Sequence, residues 1–222
     1  VIEETTEHVV LQDLLDSSEL SIYNAITRMR LVSLTMLEDA VEALVTGDDE
    51  LALDVKERDD DVDRLWYMIS RVFRTVLRNP TAANEIGFPR DTCFDFQSGA
   101  RQLERIADHA TKIADLALEV EQIPESATDP LKALQAEASE VPETAMDALL
   151  EDDSDRAVEM ANEARRQIVG VDETVREVDD QIRDLDPQLA QVLGLVVDSL
   201  SRTADYGGNI AESALQKAAP RP

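Results

Sequence analysis

Residues 103–118 read LERIADHATKIADLAL, and residues 200–215 read LSRTADYGGNIAESAL. The two stretches are identical at half of their positions, at a constant offset of 97 and without a gap. Their apolar residues recur every three or four positions, which is the spacing of one face of an α-helix. The pair therefore predicts a helical protein that is built from two similar units.

The same apolar spacing, broken at Gly and Pro, predicts three helices in each half. Long amphipathic helices with short connections form antiparallel bundles. We therefore predict an all-α fold, a tandem pair of antiparallel three-helix bundles. The expected divisions are a linker or short helical lead-in at 1–18, a first bundle at 19–123 and a second at 124–219. The expected helices are about 22–44, 49–78, 90–120, 129–150, 153–185 and 187–217.

Three local features refine this expectation. Val141-Pro142 predicts a kink or an interruption in the fourth helix, because proline removes a backbone donor and clashes with the preceding turn. Gly207-Gly208 weakens the sixth helix, so we expect another helix to pack closely there. Cys93 is the single cysteine, and we expect it to pack as a small core residue.

The charge balance excludes some partners. The chain has 48 acidic and 21 basic residues, a net charge of −27. A surface this negative repels the phosphates of nucleic acids, so we expect no nucleic-acid binding through this chain. Only four of the basic residues are Lys. An acidic, lysine-poor surface suits concentrated salt, where screening weakens its self-repulsion, so we predict a halophilic source.

The sequence also bears on localisation. No apolar run approaches the roughly 20 residues of a membrane span. No signal-peptide pattern opens the chain. We therefore expect a cytoplasmic protein without membrane insertion.

Two pairs of carboxylates are candidates for chemistry. Asp59 and Asp63 lie four residues apart on the second helix, and Glu104 and Asp108 lie four apart on the third. This spacing puts both members of a pair on one helix face, so antiparallel packing could bring all four together. Clustered carboxylates suit Mg, Ca, Mn or Fe ions. Because acids are about a fifth of the chain, a solvated surface remains the alternative.

The residues around these pairs resemble the PhoU family of phosphate-uptake regulators. Glu57–Leu65 (ERDDDVDRL) and Leu103–His109 (LERIADH) match the family's Glu/Asp-x-x-x-Asp motifs, and Ala204–Glu212 (ADYGGNIAE) is a looser match. The likeness covers about residues 20–217. It implies multinuclear iron or zinc clusters, or another divalent cation. Carried over by position, the metal ligands would be Asp59, Asp63, Glu104 and Asp108.

The second half departs from the family motif. Ile168 and Ser201 stand where the first half has a carboxylate, which leaves Asp172 and Asp205 as weaker candidate ligands. We therefore predict weak or absent metal binding there. His109 follows the third-helix motif directly, and we expect it to be exposed or partly packed rather than a ligand.

Two basic residues bear on the same motif. Arg101 and Arg105 flank Glu104 in the chain. We expect each of them to pair with a nearby acid. Such pairs would compete with a metal ion for the carboxylates.

The resemblance implies a regulator rather than an enzyme. It would restrain uptake by the high-affinity ABC phosphate transporter and, in bacteria, signal through a sensor kinase; a homodimer is left open. One alternative is a structural or metal-storing helical protein. Another is a carboxylate-bridged di-metal enzyme, which the sequence disfavours because it has two His and no Glu-x-x-His motif.

The resemblance also suggests a possible longer architecture. Haloarchaeal relatives sometimes carry an N-terminal AbrB-like DNA-binding hairpin domain. We expect no such domain within residues 1–222. Residues 1–18 are the segment that would have joined one to the bundles.

Overall fold

The computed structural model describes residues 22–79, 81, 84, 86–120 and 122–220, with the backbone of 3–4 and 9–10. Most of these residues are helical, which confirms the all-α prediction. Among the described helices, none is both long and apolar enough to cross a membrane. The helices are α1 (Ile22–Thr46), α2 (Asp49–Arg78), α3 (Arg90–Ala117), α4 (Glu125–Leu150), α5 (Ser154–Ile182) and α6 (Pro187–Ala218).

Two short strands precede the helices. β1 (Glu3–Glu4) pairs antiparallel with β2 (Val9–Val10). A helical lead-in is therefore wrong for these four residues. The remainder of the 1–18 lead-in lies outside the described residues.

The turns between helices show why the helices begin where they do. Gly47 ends α1 with a φ of 68°, a left-handed conformation that glycine adopts without a Cβ clash. Asp48 then caps α2, because its side chain accepts a hydrogen bond from the Leu51 amide at 3.0 Å. Asp153 and Asp186 cap α5 and α6 in the same way. Each cap satisfies a backbone donor that the helix itself leaves free.

The fourth helix differs most from its prediction. α4 begins at Glu125, four residues before the predicted start, and runs without interruption to Leu150. Pro130 and Pro142 both lie inside it. An interruption at Pro142 is therefore wrong. Pro142 is buried against α6, so packing between the helices offsets the backbone hydrogen bond that proline removes.

The helices pack as two groups of three that share one core. α1, α2 and α3 contact one another, as do α4, α5 and α6. α3 also packs along α6, and α1 contacts α4. The buried side chains of all six helices form one contiguous cluster, and Cys93 is buried as expected. The boundaries of two separate domains therefore stay a prediction.

A row of polar contacts runs along the packed faces of α3 and α6. The side chains meet in pairs whose numbers rise along α3 and fall along α6. The two helices are therefore antiparallel. The hydrogen-bonded pairs are Ser98 with Ser213 at 3.3 Å, Gln102 with Asn209 at 3.2 Å and His109 with Tyr206 at 3.3 Å.

Candidate functional site

The four predicted carboxylates meet on one side of the first bundle. α2 supplies Asp59 and Asp63, and α3, which packs against it, supplies Glu104 and Asp108. Asp59 lies close enough to feel the charges of Asp108 and Asp63, and Glu104 also feels both. The i,i+4 spacing and the antiparallel packing thus bring the set together across the two helices.

Burial and mutual repulsion make this cluster electrostatically unfavourable. Burial raises the pKa values of Asp59, Glu104 and Asp108 above those of free carboxyl groups. Repulsion between the carboxylates raises these pKa values further, while the Arg101 charge lowers those of Glu104 and Asp108. A bound cation would relieve the same repulsion.

Arg101 occupies one side of the cluster. Its Nη1 donates a hydrogen bond to Glu104 Oε1 at 2.6 Å, and its guanidinium lies 5.3 Å from the centre of the Trp66 ring. The other carboxylate oxygen of Glu104, Oε2, is buried without a hydrogen-bond partner. The predicted ion pair of Arg101 with a nearby acid is therefore confirmed, and it uses only one of the two oxygens. Its competition with a metal ion stays a prediction.

Arg105 does not follow the same prediction. Its guanidinium lies 5.6 Å from the centre of the Tyr206 ring of the second bundle, and its Nη1 donates to Gln102 of its own helix at 3.4 Å. An ion pair with a neighbouring acid was expected, and among the described residues none forms. Contacts with α6 thus remove Arg105 from the carboxylate side of α3.

The oxygen donors of the four carboxylates are of a kind that binds metal ions, but their side chains are not positioned to coordinate one. All four groups supply oxygen, and a buried unpaired oxygen is available on Glu104. Nevertheless, among the described residues no group of three or more Asp, Glu, His or Cys side chains is arranged to hold a metal ion. Coordination would require side-chain rotation, and Asp108, the most exposed of the three carboxylates with a raised pKa, has the most room for it.

The second bundle has fewer carboxylates at the positions that correspond to the cluster. Asp172 and Asp205 are both exposed, and the Asp205 carboxylate contacts Arg202 at 3.4 Å. Ile168 packs against the core instead of offering an oxygen. These observations agree with the expected imbalance between the halves. Metal binding by Asp172 and Asp205 stays a prediction.

Three further residues complete the surroundings of the site. His109 is half-buried against Tyr206, as predicted, with a ring-to-ring distance of 5.6 Å. Sequence reasoning missed Thr111, whose hydroxyl lowers the pKa of Asp59, and it missed Trp66 beneath Arg101. Thr111 and Trp66 each lie three residues after a predicted carboxylate, so helical spacing could have identified both.

Comparison with known proteins agrees with this fold. Residues 26–117 match the PhoU domain family. A Pseudomonas aeruginosa protein named phosphate-specific transport system accessory protein PhoU homolog is 29% identical over 181 residues, which are 79% of this chain and 73% of that protein. A Thermotoga maritima protein named phosphate-specific transport system accessory protein PhoU homolog 1 is 27% identical over 203 residues. These residues are 86% of this chain and 82% of that protein.

Solved structures give the same fold. The crystal structure of PhoU from Pseudomonas aeruginosa superposes with a TM-score of 0.73 at 23% identity, covering 90% of this chain and 97% of that one. The regulatory protein PhoU of the Streptococcus pneumoniae phosphate transport system superposes with a TM-score of 0.66 at 17% identity, covering 87% and 91%. At these identities the superpositions establish the arrangement of helices.

Proposed function

We propose that this chain, whose residues 26–117 match the PhoU domain family, is a PhoU-type protein that regulates phosphate uptake by acting on a phosphate-specific transport system. The observation that carries the proposal is the match to named accessory proteins of such systems over most of the chain. The expected partners are components of the phosphate ABC transporter, a signalling protein, or both. The protein acts by binding in the cytoplasm and not by catalysis.

A metal ion at the carboxylate cluster is the second part of the proposal. Asp59, Asp63, Glu104 and Asp108 would hold it, with iron or zinc as the expected metals. The mutual repulsion of the carboxylates and the unpaired Oε2 of Glu104 support this assignment. The bound cation would neutralise the cluster and hold α2 and α3 together at this level. Asp172 and Asp205 would bind weakly or not at all.

Phosphate uptake in cells tests the regulatory role. When phosphate is plentiful, we expect cells without this protein to take up more phosphate than normal cells, because the transporter is no longer restrained. Restoring the gene should return uptake to the normal level. Uptake should be measured with radiolabelled phosphate at low and high external concentrations. Unchanged uptake at every concentration would contradict the proposed function.

Metal analysis tests the cluster separately. Protein purified without chelators should contain iron or zinc, and a double substitution of Asp63→Asn and Asp108→Asn should remove most of it. The matched control is Asp172→Asn with Asp205→Asn in the second bundle, which should keep the metal. Mass spectrometry of the metals measures all three proteins. Equal content in the two double variants would exclude the assigned site.

A further inference from the structure

The end of the first bundle at the α2–α3 connection has an unusual charge for this chain. Residues 70–94 contain four Arg and two acids, Glu85 and Asp91, whereas acids outnumber bases by more than two to one overall. Large apolar side chains accompany these arginines. We call this surface the tip patch, and its residues are Phe73, Arg74, Leu77, Arg78, Arg90 and Phe94.

The apolar part of the tip patch is exposed to solvent. Leu77 is 56% exposed and Phe94 is 49% exposed. The rings of Phe73 and Phe94 lie 5.8 Å apart, so they form a small aromatic surface between the end of α2 and the start of α3. Exposed aromatic and aliphatic side chains that lie together are typical of an interaction site.

The arginines of the tip patch have no ion-pair partner within the described part of the chain. Arg74, Arg78 and Arg90 are exposed, and none of them forms an ion pair with another described residue. Elsewhere in the bundle, arginines do pair with acids, as Arg58 does with Asp39 at 2.6 Å. In a chain with such an excess of carboxylates, three unpaired guanidinium groups leave a local positive charge that suits an acidic partner.

The tip patch is separate from the carboxylate cluster. Phe73 follows Asp63 by ten residues of the same helix, which corresponds to about 15 Å along α2. Arg101 and Trp66 lie between the two surfaces, because Trp66 precedes Phe73 on α2 and Arg101 follows Phe94 on α3. A partner at the tip patch therefore leaves the cluster free.

The neighbouring bundle argues against a membrane as the partner. At this same end, Lys217 of α6 bonds the backbone oxygen of Glu151 at 2.7 Å, and its charge acts on Asp95 near the start of α3. The turn after Glu151 continues with Asp152 and Asp153. A broad anionic membrane that reached the arginines would also approach these carboxylates, whereas a narrow protein segment would not.

We propose that the tip patch binds a segment of another protein that presents carboxylates beside apolar side chains. The apolar side chains would cover Phe73, Leu77 and Phe94. The carboxylates would pair with the three arginines, whose planar groups bind carboxylates in a bidentate manner. This assignment goes beyond the proposed function, because it defines a docking surface and the chemistry of its partner.

A designed peptide provides the probe. It is a fluorescein-labelled amphipathic helix of about four turns, with Leu and Phe on one face and Glu on the other. Fluorescence anisotropy at the lowest salt in which the full chain is folded should show saturable binding, although the protein as a whole is negative. A peptide with Gln in place of Glu should bind about tenfold more weakly or worse.

Charge reversal locates the binding. The double substitution of Arg74→Glu and Arg78→Glu should weaken binding of the Glu peptide by about tenfold or more. The control, Arg165→Glu with Arg176→Glu, makes the same charge change at two exposed arginines of α5 that form no ion pair with the described residues. It should change the affinity less than about twofold. Leu77→Ser tests the apolar contribution and should also weaken binding.

Several results would overturn the inference. Equal losses in the two double variants would mean that only overall charge matters. Absence of saturable binding by the Glu peptide would remove the docking surface. Binding of the chain to phosphatidylglycerol vesicles, lost in the Arg74 and Arg78 variant, with no peptide binding, would assign the tip patch to a membrane instead. Thermal melting of each variant checks that it is folded.

Discussion

Asp95 of α3 is a carboxylate that the fold buries against its ordinary preference. It is only 7% exposed. Burial, and then repulsion from Asp91, raises its pKa to about 6, while Lys217 acts in the opposite direction. Burial also lowers the pKa of Lys217, so the two groups compensate each other incompletely. Asp95 thus opposes folding once it is ionised.

We predict that Asp95→Asn stabilises the protein at neutral pH. The folded pKa of Asp95 lies above the ordinary value of 3.8, so between 3.8 and about 6 the folded state binds more protons than the unfolded state. The stability of the natural protein therefore falls as the pH rises through this range. The variant lacks this loss and should gain about 1–3 kcal/mol at pH 7, with the gain shrinking toward pH 4.

Chemical denaturation at a series of pH values measures this gain. Asp172→Asn is the control, because it removes the same single negative charge from a residue that is exposed rather than buried. A variant that is no more stable than the natural protein at pH 7, or a gain that does not depend on pH, would show that burial of Asp95 has no such effect.

At the scale of the element, the packing of α6 against α4 depends on the lack of a side chain at Gly207. A Cβ added there would lie 2.6 Å from the backbone nitrogen of Pro142 and 2.8 Å from Val141 Cγ1. The sequence prediction of close packing at Gly207-Gly208 is therefore confirmed. It also explains how α4 stays helical at Pro142, since the two backbones touch at this point.

We predict that Gly207→Ala destabilises the protein by about 1–3 kcal/mol, because the two helices must move apart. Alanine favours a helix over glycine by about 1 kcal/mol, so propensity alone predicts the opposite sign. Gly194→Ala in the same helix is the matched control, since nothing lies within 4 Å of its added Cβ, and it should be neutral or stabilising. Urea denaturation gives both free energies, and a stabilising Gly207→Ala would contradict the packing argument.

The helix ends illustrate what could be predicted from local chemistry. Gly47, Asp48 and Asp186 carry strong local signals, and α2 and α6 begin where these signals place them. The predicted start of α4, at about residue 129, lies four residues after the observed start at Glu125, and Pro130 lies inside the helix. Proline inside a helix is tolerated only through packing against distant residues, which local patterns do not contain.

The candidate site shows the same division. The four carboxylates could be predicted because their i,i+4 spacing and the antiparallel order of α2 and α3 are readable in the chain. The direction of Arg105 could not, since its partner Tyr206 lies about a hundred residues away and on the other bundle. The tip patch was missed as well, because exposure depends on which helix faces are left uncovered after packing.

At the scale of the whole molecule, the net charge of −27 means that carboxylates without basic partners repel one another. Some acids are paired across helices, as Asp115 is with Lys56 and Glu42 with Lys132. With 48 acids and 21 bases, most of the surface charge has no such partner. Repulsion of this kind is long in range and therefore depends on ionic strength.

We predict that potassium chloride raises the midpoint of thermal unfolding. Screening shortens the reach of charges from about 10 Å at 0.1 M salt to about 3 Å at 1 M, so the compact state is relieved of repulsion more than the unfolded chain. Circular dichroism at rising salt concentrations measures the midpoint. Sucrose at equal molarity is the control, because it stabilises by exclusion from the protein surface without screening charge, and it should raise the midpoint less than the salt does. A midpoint that does not change with salt concentration would contradict the predicted halophilic source.

The antiparallel contact of α3 with α6 has an evolutionary consequence. His109 and Tyr206 are equivalent positions of the repeat, 97 residues apart, and they contact each other. A position that meets its own equivalent lies on a local twofold axis, as in a homodimer. This is the geometry that duplication and fusion of the gene for one subunit of a homodimer would produce. In a dimer of identical subunits every mutation occurs twice, whereas after fusion one copy can retain ligands while the other diverges into a scaffold.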